Sequence, residues 1–125
     1  ENYARMEKRA ARLEQGLRWA ITAHKAPWHV VRVGARVEFI CAPGPLHNGA
    51  EAATAHKPAL EAAIHVGLIN RGCLIAPFHN MMLISPATKK HQTEVQATHY
   101  KSVSNSKKTK TLPVSSHNGT PRSQH

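Results

Sequence analysis

The chain has 125 residues and a formal net charge of +10, with 17 Lys and Arg against 7 acidic residues. This length suits one small domain with a modest core. No apolar run approaches the roughly 20 residues that a membrane-spanning helix needs. Two cysteines do not make a disulfide scaffold. The sequence therefore predicts neither a membrane protein nor a disulfide-stabilised module, and it favours reduced thiols in a reducing compartment.

The positive charge is concentrated near the end of the chain. Residues 1–88 carry ten Lys and Arg and six Glu, a net of +4, whereas residues 89–125 carry seven Lys and Arg and only Glu94, a net of +6. The second segment also has few large apolar residues, so it cannot bury enough surface to offset the entropy of ordering. We expect residues 1–88 to form the domain and residues 89–125 to form a poorly ordered basic tail. A helix over the first residues of this tail is the alternative.

The first predicted element is an amphipathic helix over residues 2–24. Apolar side chains recur at steps of three and four residues, which places them on one helical stripe. Pro27 fits a stop shortly after the last of them. The stripe consists of Met6, Ala10, Leu13, Leu17 and Ile21.

The apolar period then changes to two, which is typical of a half-buried strand or of two short strands. Gly34 marks a bend or bulge within this stretch. Strict alternation places Arg32, Arg36 and Glu38 on the polar face. It places Val31, Val33, Ala35, Val37, Phe39 and Cys41 on the buried face.

A second helix is predicted within residues 50–71. Pro58 is tolerated only near a helix start, so the regular helix begins close to Lys57 and residues 50–56 form a separate short turn. Gly72 is a candidate for the left-handed residue that closes the helix. Two more strands are predicted at residues 73–76 and 82–85. This order of elements predicts an α+β domain, with a mainly antiparallel sheet covered by helices on one face.

A polar interruption, Phe78-His79-Asn80, separates the last two predicted strands. Polar groups between buried strands cost free energy unless they are satisfied, so a binding site is one interpretation. His79 can donate or accept a hydrogen bond near neutral pH. Arg36 could hold a carboxylate with its planar guanidinium. The alternative is a loop histidine that bonds to the backbone and an ordinary surface arginine.

Two other patterns are weaker. Cys41 and His47, like Cys73 and His79, are separated by five residues, which is not the short cysteine spacing of compact zinc sites, so we expect no metal. The basic run at residues 107–110 could contact nucleic acid or another polyanion electrostatically, although no nucleic-acid motif accompanies it. No nucleophile–base arrangement or phosphate-binding loop is legible, so no catalytic residue is assigned.

The run NRGCLIAPFHNMMLISPAT resembles the C-terminal segment of class III, fold-type I aminotransferases that depend on pyridoxal 5′-phosphate (PLP). The branch it resembles contains glutamate-1-semialdehyde aminomutases and β-amino-acid aminotransferases. VGARVEF with CAPGPLHNGAEA is similar to the strand pair and loop of the small domain in that branch, and ENYARMEKRAARLEQGLRWAI is similar to the helix that enters it. The resemblance covers about residues 1–88, because KKHQTEVQATHYKSVSNSKKTK lacks the regular apolar period of the family's final helix.

The resemblance implies the small-domain fold and a cytoplasmic parent enzyme that transfers an amino group on an amino acid or semialdehyde. In the family, the lysine that binds PLP as a Schiff base belongs to the large domain. The expectation is therefore an enzyme fragment that is inactive and binds no PLP alone. Its partners would be the large domain and a second subunit of a homodimer. A further interpretation is that the chain is a pseudogene-like product that has no function maintained by selection.

The resemblance also assigns positions to three residues. His79 and Asn80, in the FHNM motif, and Arg36, in the GARVEF motif, would lie at the edge of the substrate pocket. The resemblance gives none of them a chemical step and implies no cofactor-binding or metal-binding residue in this chain.

Overall fold

The computed structural model of the chain describes residues 1–76 and 80–108, and residues 100–108 are described as backbone only. In chain order, the elements within these residues are α1 (Asn2–Ala23), β1 (His29–Val33), β2 (Arg36–Ile40), α2 (Gly49–Ala55), α3 (Pro58–Ile69), β3 (Met81–Leu83) and α4 (Lys90–Lys108). The strands form an antiparallel sheet in the order β1-β2-β3. The predicted α+β class with a mainly antiparallel sheet is confirmed. None of the described helices is both long and apolar enough to cross a membrane.

Helix α1 covers one face of the sheet, as its apolar stripe predicts. The helix packs against β1, β2 and α4. Its stripe buries side chains that join the central core with Val37 and Phe39 of β2. Burial of such a stripe supplies most of the stability of a helix in a small domain. The buried residues of α1 are Ala10, Leu13, Leu17, Ala20 and Ile21.

Strands β1 and β2 form a hairpin, so the second of the two strand interpretations is correct. Val33 pairs with Arg36, which leaves Gly34 and Ala35 as a two-residue turn. Gly34 has a φ of +57°, a left-handed conformation that favours glycine at this turn position.

The predicted buried face of β1 is wrong. Opposed residues of a ladder lie on the same face of a sheet. Because Val30 opposes Phe39, Val30 is buried, whereas Val31 and Val33 are 40% and 72% exposed. The tight turn reverses the chain, and the alternation of β1 is therefore not continuous with that of β2.

Helix α3 begins where the sequence predicts, whereas the stretch predicted as a separate short turn at residues 50–56 is a short helix, α2. Asn48 caps α2, because its Oδ1 accepts a hydrogen bond from the Glu51 backbone N–H at 3.0 Å. The Glu51 side chain accepts from the His47 backbone N–H at 2.8 Å. Pro58 stands in the first turn of α3, where its missing N–H costs nothing. Gly72 follows with a φ of +78°.

The predicted strand at residues 73–76 is not present. Cys73 and Ile75 are buried and Leu74 is 81% exposed, so the alternation of burial persists. The segment has no place in the ladder of the sheet. Alternation of apolar residues indicates which side chains are buried, but it does not show that the segment is hydrogen-bonded to a neighbouring strand.

The segment from residue 89 begins with helix α4, which packs against α1 and α3. Thr93 and Ala97 are 1% and 8% exposed, and Glu94 forms an ion pair with Arg12 at 2.7 Å. The buried side chains of this contact are small, which agrees with the few large apolar residues of the segment. The domain therefore continues past residue 88, and residues 109–125 lie outside the described part of the chain.

A cluster of charges fastens the hairpin to α1. Glu14 accepts hydrogen bonds from Arg18 Nη2 at 2.8 Å and from Arg32 Nε at 2.7 Å. Burial alone raises the pKa of Glu14, but the hydrogen bonds and charges of Arg32 and Arg18 outweigh it and lower this pKa overall. A lowered folded-state pKa contributes stability that is present above the unfolded value and is lost as the pH falls through the folded value.

We expect Glu14→Gln to reduce the free energy of unfolding at pH 7 by about 1 kcal/mol, because an ion pair at a partly exposed site contributes little more. The difference in the free energy of unfolding between the variant and the parent chain is this gap. It should disappear as the pH falls through the lowered pKa of Glu14. Urea unfolding between pH 7 and pH 3 measures this gap. Glu7→Gln, at an exposed position of the same helix, is the control. A gap that does not change with pH would contradict the prediction.

Candidate functional site

Asn80 is a buried polar residue at the start of β3. Its backbone carbonyl accepts a hydrogen bond from the Phe39 N–H at 3.2 Å, which places it opposite Phe39 on the core face of the sheet. The side chain is 6% exposed, and its Nδ2 lies 4.0 Å from Cys41 Sγ. A thiol is a weak acceptor. The amide of Asn80 is therefore only weakly satisfied by this contact.

Asn80 lines a cleft of about 510 Å³. The cleft lies between the end of β2, helix α2 and the first turn of α3. Its walls are mainly apolar, with a few polar groups at the rim, as ligand pockets commonly are. The other lining residues are Glu38, Phe39, Ile40, Leu46, Ala52, Ala55, His56 and Glu61.

An imidazole and a carboxylate form the polar rim of this cleft. His56 Nδ1 lies 2.7 Å from Glu61 Oε2. Glu61 also accepts a hydrogen bond from the Lys57 backbone N–H at 3.1 Å, which holds the carboxylate at the start of α3. With the Asn80 amide, this arrangement can bind and orient a polar group, whereas the lining residues offer neither a hydroxyl nucleophile nor a lysine amine.

Arg36 lies on the other side of the sheet. It opposes Val33 and Leu83, on the face that α1 does not cover, and its Nη2 donates to Glu38 Oε2 at 3.0 Å. Asn80 lies on the core face, so the structure does not bring Arg36 and Asn80 together. His79 lies outside the described residues. The assignment of these three residues to the edge of a substrate pocket stays a prediction.

Sequence reasoning missed the rim residues His56 and Glu61. The signal was present in HKPALE, where a proline in the first helical turn is followed by a glutamate that can reach back to the helix start. This pattern indicates a helix start, but it does not show that the start faces a cleft.

The two cysteines do not join a metal-binding cluster among the described residues. Cys41 and Cys73 are both buried and are not linked by a disulfide, and burial raises the pKa of Cys73. Residues 1–76 and 80–108 bring together no group of three or more His, Cys or Glu side chains that could hold a metal ion.

The described residues do not by themselves fit covalently bound PLP. A Schiff-base lysine has to project into a pocket that also holds the phosphate of the cofactor. The lysines whose side chains are described, Lys8, Lys25, Lys57, Lys89 and Lys90, are all exposed. None of them lines the cleft beside Asn80. That the chain alone binds no PLP remains a prediction.

Comparisons with known proteins identify relatives only among solved structures. No family model and no curated protein matches the chain. Two crystal structures of a glutamate-1-semialdehyde aminomutase from Pseudomonas aeruginosa PAO1, one of them a variant in complex with PMP, match with 40% sequence identity and a TM-score of 0.79. An omega-transaminase from Sphaerobacter thermophilus matches with 17% identity and a TM-score of 0.73, which supports the fold alone.

The match is longer than residues 1–88 but short relative to the enzymes. It covers 81% of this chain, and 81% of 125 residues is about 101 residues. The similarity therefore reaches past residue 88. The chain spans 22% of the aminomutase and 24% of the transaminase. These findings confirm the resemblance that the sequence motifs predict: the chain is similar to the small domain of class III PLP-dependent aminotransferases of the glutamate-1-semialdehyde aminomutase type.

Proposed function

We propose that this chain is the small-domain part of a class III PLP-dependent enzyme that transfers an amino group on an amino acid or a semialdehyde. The observation that carries the proposal is the 40% identity and TM-score of 0.79 with a glutamate-1-semialdehyde aminomutase. PLP and its lysine would come from the large domain, and a second subunit would complete a homodimer. The reaction would take place in the cytoplasm.

The cleft beside Asn80 would be the part of the substrate pocket that this domain supplies. Support comes from the buried amide of Asn80, which lines the cleft with only a 4.0 Å contact to a thiol. A substrate carbonyl or carboxylate could accept a hydrogen bond from Nδ2 in place of that contact. His79 precedes Asn80 in the chain and is proposed to contribute to the same edge. Arg36 could contact a substrate only after breaking its ion pair with Glu38. We therefore rank Arg36 below Asn80 and His79 as a pocket residue.

A chimera tests the proposed function. The segment of the Pseudomonas aminomutase that matches this chain is replaced by residues 1–108, and aminotransferase or aminomutase turnover is measured with PLP present. We expect the chimera to turn over, whereas the isolated chain shows neither turnover nor a Schiff-base absorption band that borohydride removes. A folded chimera that binds PLP without turnover would refute the function. A reducible band in the isolated chain would refute the division of roles between the domains.

In that chimera, we expect Asn80→Ala to lower kcat/KM about tenfold, the equivalent of one hydrogen bond of about 1.4 kcal/mol to the reacting molecule. Gln15→Ala, which removes an exposed amide from α1, is the matched control and should change kcat/KM by less than about twofold. Thermal unfolding of both variants separates a loss of binding from a loss of folding. An unchanged kcat/KM for Asn80→Ala would show that Asn80 is not part of the substrate pocket.

The alternative function, binding of nucleic acid or another polyanion through residues 89–125, has only the net charge of +6 in its favour. Part of that segment is already used within the domain, since Thr93 and Ala97 of α4 are buried. Binding that weakens with salt and disappears when residues 89–125 are deleted would support the alternative.

A further inference from the structure

The cleft beside Asn80 holds a carboxylate that is fixed in place and mostly buried. The side chain of Glu61 is 15% exposed. Its Oε1 accepts a hydrogen bond from the Lys57 backbone N–H at 3.1 Å, and its Oε2 lies 2.7 Å from His56 Nδ1. An ionised carboxylate has about four acceptor positions. Glu61 can therefore accept further hydrogen bonds from a molecule in the cleft.

The imidazole of His56 adds a second acceptor to the cleft. An ionised carboxylate can only accept, so the short contact with Glu61 places a proton on His56 Nδ1. In the neutral ring, the other nitrogen, Nε2, then carries a lone pair. The side chain of His56 is 54% exposed, which leaves room for a ligand to approach the ring.

Asn80 is an independent sign that the cleft takes a ligand with polar groups. The residue lines the cleft and is 6% exposed. Within the described part of the chain, its side-chain amide makes only the 4.0 Å contact with the Cys41 thiol. A buried amide with so weak a partner costs free energy, and a hydrogen bond to a ligand would offset that cost.

The charges around the cleft disfavour an anionic ligand group. Among the described residues that line it, none is Lys or Arg. Glu38 lines the cleft, but its carboxylate pairs with Arg36 Nη2 at 3.0 Å. Glu61 pairs with an imidazole instead, and a neutral imidazole leaves the negative charge of Glu61 in place. A neutral carbonyl could still accept from Asn80, whereas a carboxylate would be repelled by Glu61.

We propose that this cleft binds a protonated primary amine at the far end of the substrate, away from the amino group that is transferred. The place of this amine in the reaction rests on the proposed function. An ammonium group has three N–H donors and no acceptor. Its donors match the Glu61 carboxylate, the Nε2 of His56 and the side-chain oxygen of Asn80.

The apolar lining of the cleft fits the rest of such a substrate. Phe39 and Leu46 line the cleft together with two alanines of α2, and they contact the methylene chain that carries the amine. The preferred substrates are therefore diamines and amino acids with a second amino group, rather than amino acids with a second carboxylate.

Titration of the isolated chain with n-butylammonium chloride tests the binding without any turnover. NMR signals of the His56 ring and of the Asn80 side-chain amide are followed at pH 8, above the range in which unperturbed histidines change their charge. We expect both signals to shift and to saturate with butylammonium, and neither to do so with sodium butyrate at the same ionic strength. Equal shifts with both salts, or no saturation with butylammonium, would overturn the inference.

Substitution of Glu61 assigns the binding to the rim of the cleft. Glu61→Gln keeps an oxygen for the Lys57 N–H and removes the charge. The Kd of butylammonium should therefore rise about tenfold, which corresponds to the loss of one charge-assisted hydrogen bond. Glu7→Gln removes the same charge from an exposed position of α1 and should change this Kd by less than about twofold. An equal Kd for Glu61→Gln and the parent chain would contradict the proposed site.

A cation at the rim gives a second variant, which keeps the test decisive if Glu61→Gln fails to fold. His56→Lys, at a largely exposed side chain, should abolish the binding of butylammonium because like charges repel. His91→Lys, at an exposed position of α4, is the matched control and should leave the binding unchanged.

The chimera links the cleft to the reaction. Cadaverine and δ-aminovalerate present the same primary amine for transfer, and they differ at the far end, which is an ammonium in cadaverine and a carboxylate in δ-aminovalerate. We expect Glu61→Gln to lower the ratio of kcat/KM for cadaverine to kcat/KM for δ-aminovalerate about tenfold. Glu7→Gln should leave this ratio unchanged.

The two proposals fail in different ways. A chimera that turns over with a ratio that Glu61→Gln does not change, or that turns over δ-aminovalerate but not cadaverine, overturns the amine site and leaves the proposed function standing. If the isolated chain binds butylammonium while a folded chimera binds PLP without turnover, the amine site is supported and the proposed function is wrong.

Discussion

Replacing Phe39 with alanine is expected to reduce the free energy of unfolding by about 3–5 kcal/mol, the range for removing a buried aromatic side chain. Phe39 is 1% exposed and packs against Trp28 with ring centroids 6.5 Å apart. A small domain has a total stability of about 5–15 kcal/mol. The variant therefore loses a large share of its total stability.

The same substitution should also disturb the candidate pocket. Phe39 lines the cleft, and its backbone N–H holds the Asn80 carbonyl at 3.2 Å. Equilibrium unfolding in urea measures the stability, and the midpoint should fall while the m-value stays constant. Val33→Ala on the same sheet is the control, with an expected change below about 0.5 kcal/mol because its side chain is exposed. A loss below about 1 kcal/mol for Phe39→Ala would show that the site collapses around the cavity.

Gly16→Ala is expected to destabilise the domain by up to about 2 kcal/mol, and the sign of the change is the informative result. A Cβ at Gly16 would lie 2.7 Å from Ala97 Cβ, so α4 has to move away from α1. Overpacking of this kind costs about 1–3 kcal/mol, which over most of that range exceeds the gain of about 1 kcal/mol from better helix propensity. If α4 did not pack on α1, only the gain would remain and the variant would be more stable than the parent chain.

Transferring the methyl group tests the contact directly. In the double variant Gly16→Ala with Ala97→Gly, the close approach is restored with the side chains exchanged, and most of the lost stability should return. Thermal unfolding of the parent chain, the two single variants and the double variant forms a complete cycle. Additive effects of the two substitutions would contradict the packing of α4 on α1.

The parts of the fold that local sequence determines were predictable. The apolar stripe of α1 repeats every three to four residues, and Pro58 and Gly72 mark the ends of α3 through their own backbone restrictions. The polar residue Asn80 was legible as a candidate site residue because it interrupts an apolar run. In each case the information lies within a few neighbouring residues.

The parts that depend on distant contacts were not predictable from the pattern. The alternation from Val31 to Cys41 is compatible with one strand or with a hairpin, and only the turn at Gly34 decides which valines are buried. The packing of α4 depends on Gly16 and Ala97, which are 81 positions apart and too small to register as a core. His56 and Glu61 form the rim of the cleft because two helices meet the sheet there, which no local motif records.

The pairing of α1 with α4 has a consequence for the time course of synthesis. Ala97 leaves the ribosome 81 residues after Gly16, which is about 4–16 s at roughly 5–20 residues per second. For most of that interval the hairpin, which ends at Ile40, is already synthesised, while the surface of α1 that packs against α4 has no occupant. The surface of α1 that later contacts α4 is therefore exposed on the nascent chain until α4 has been synthesised.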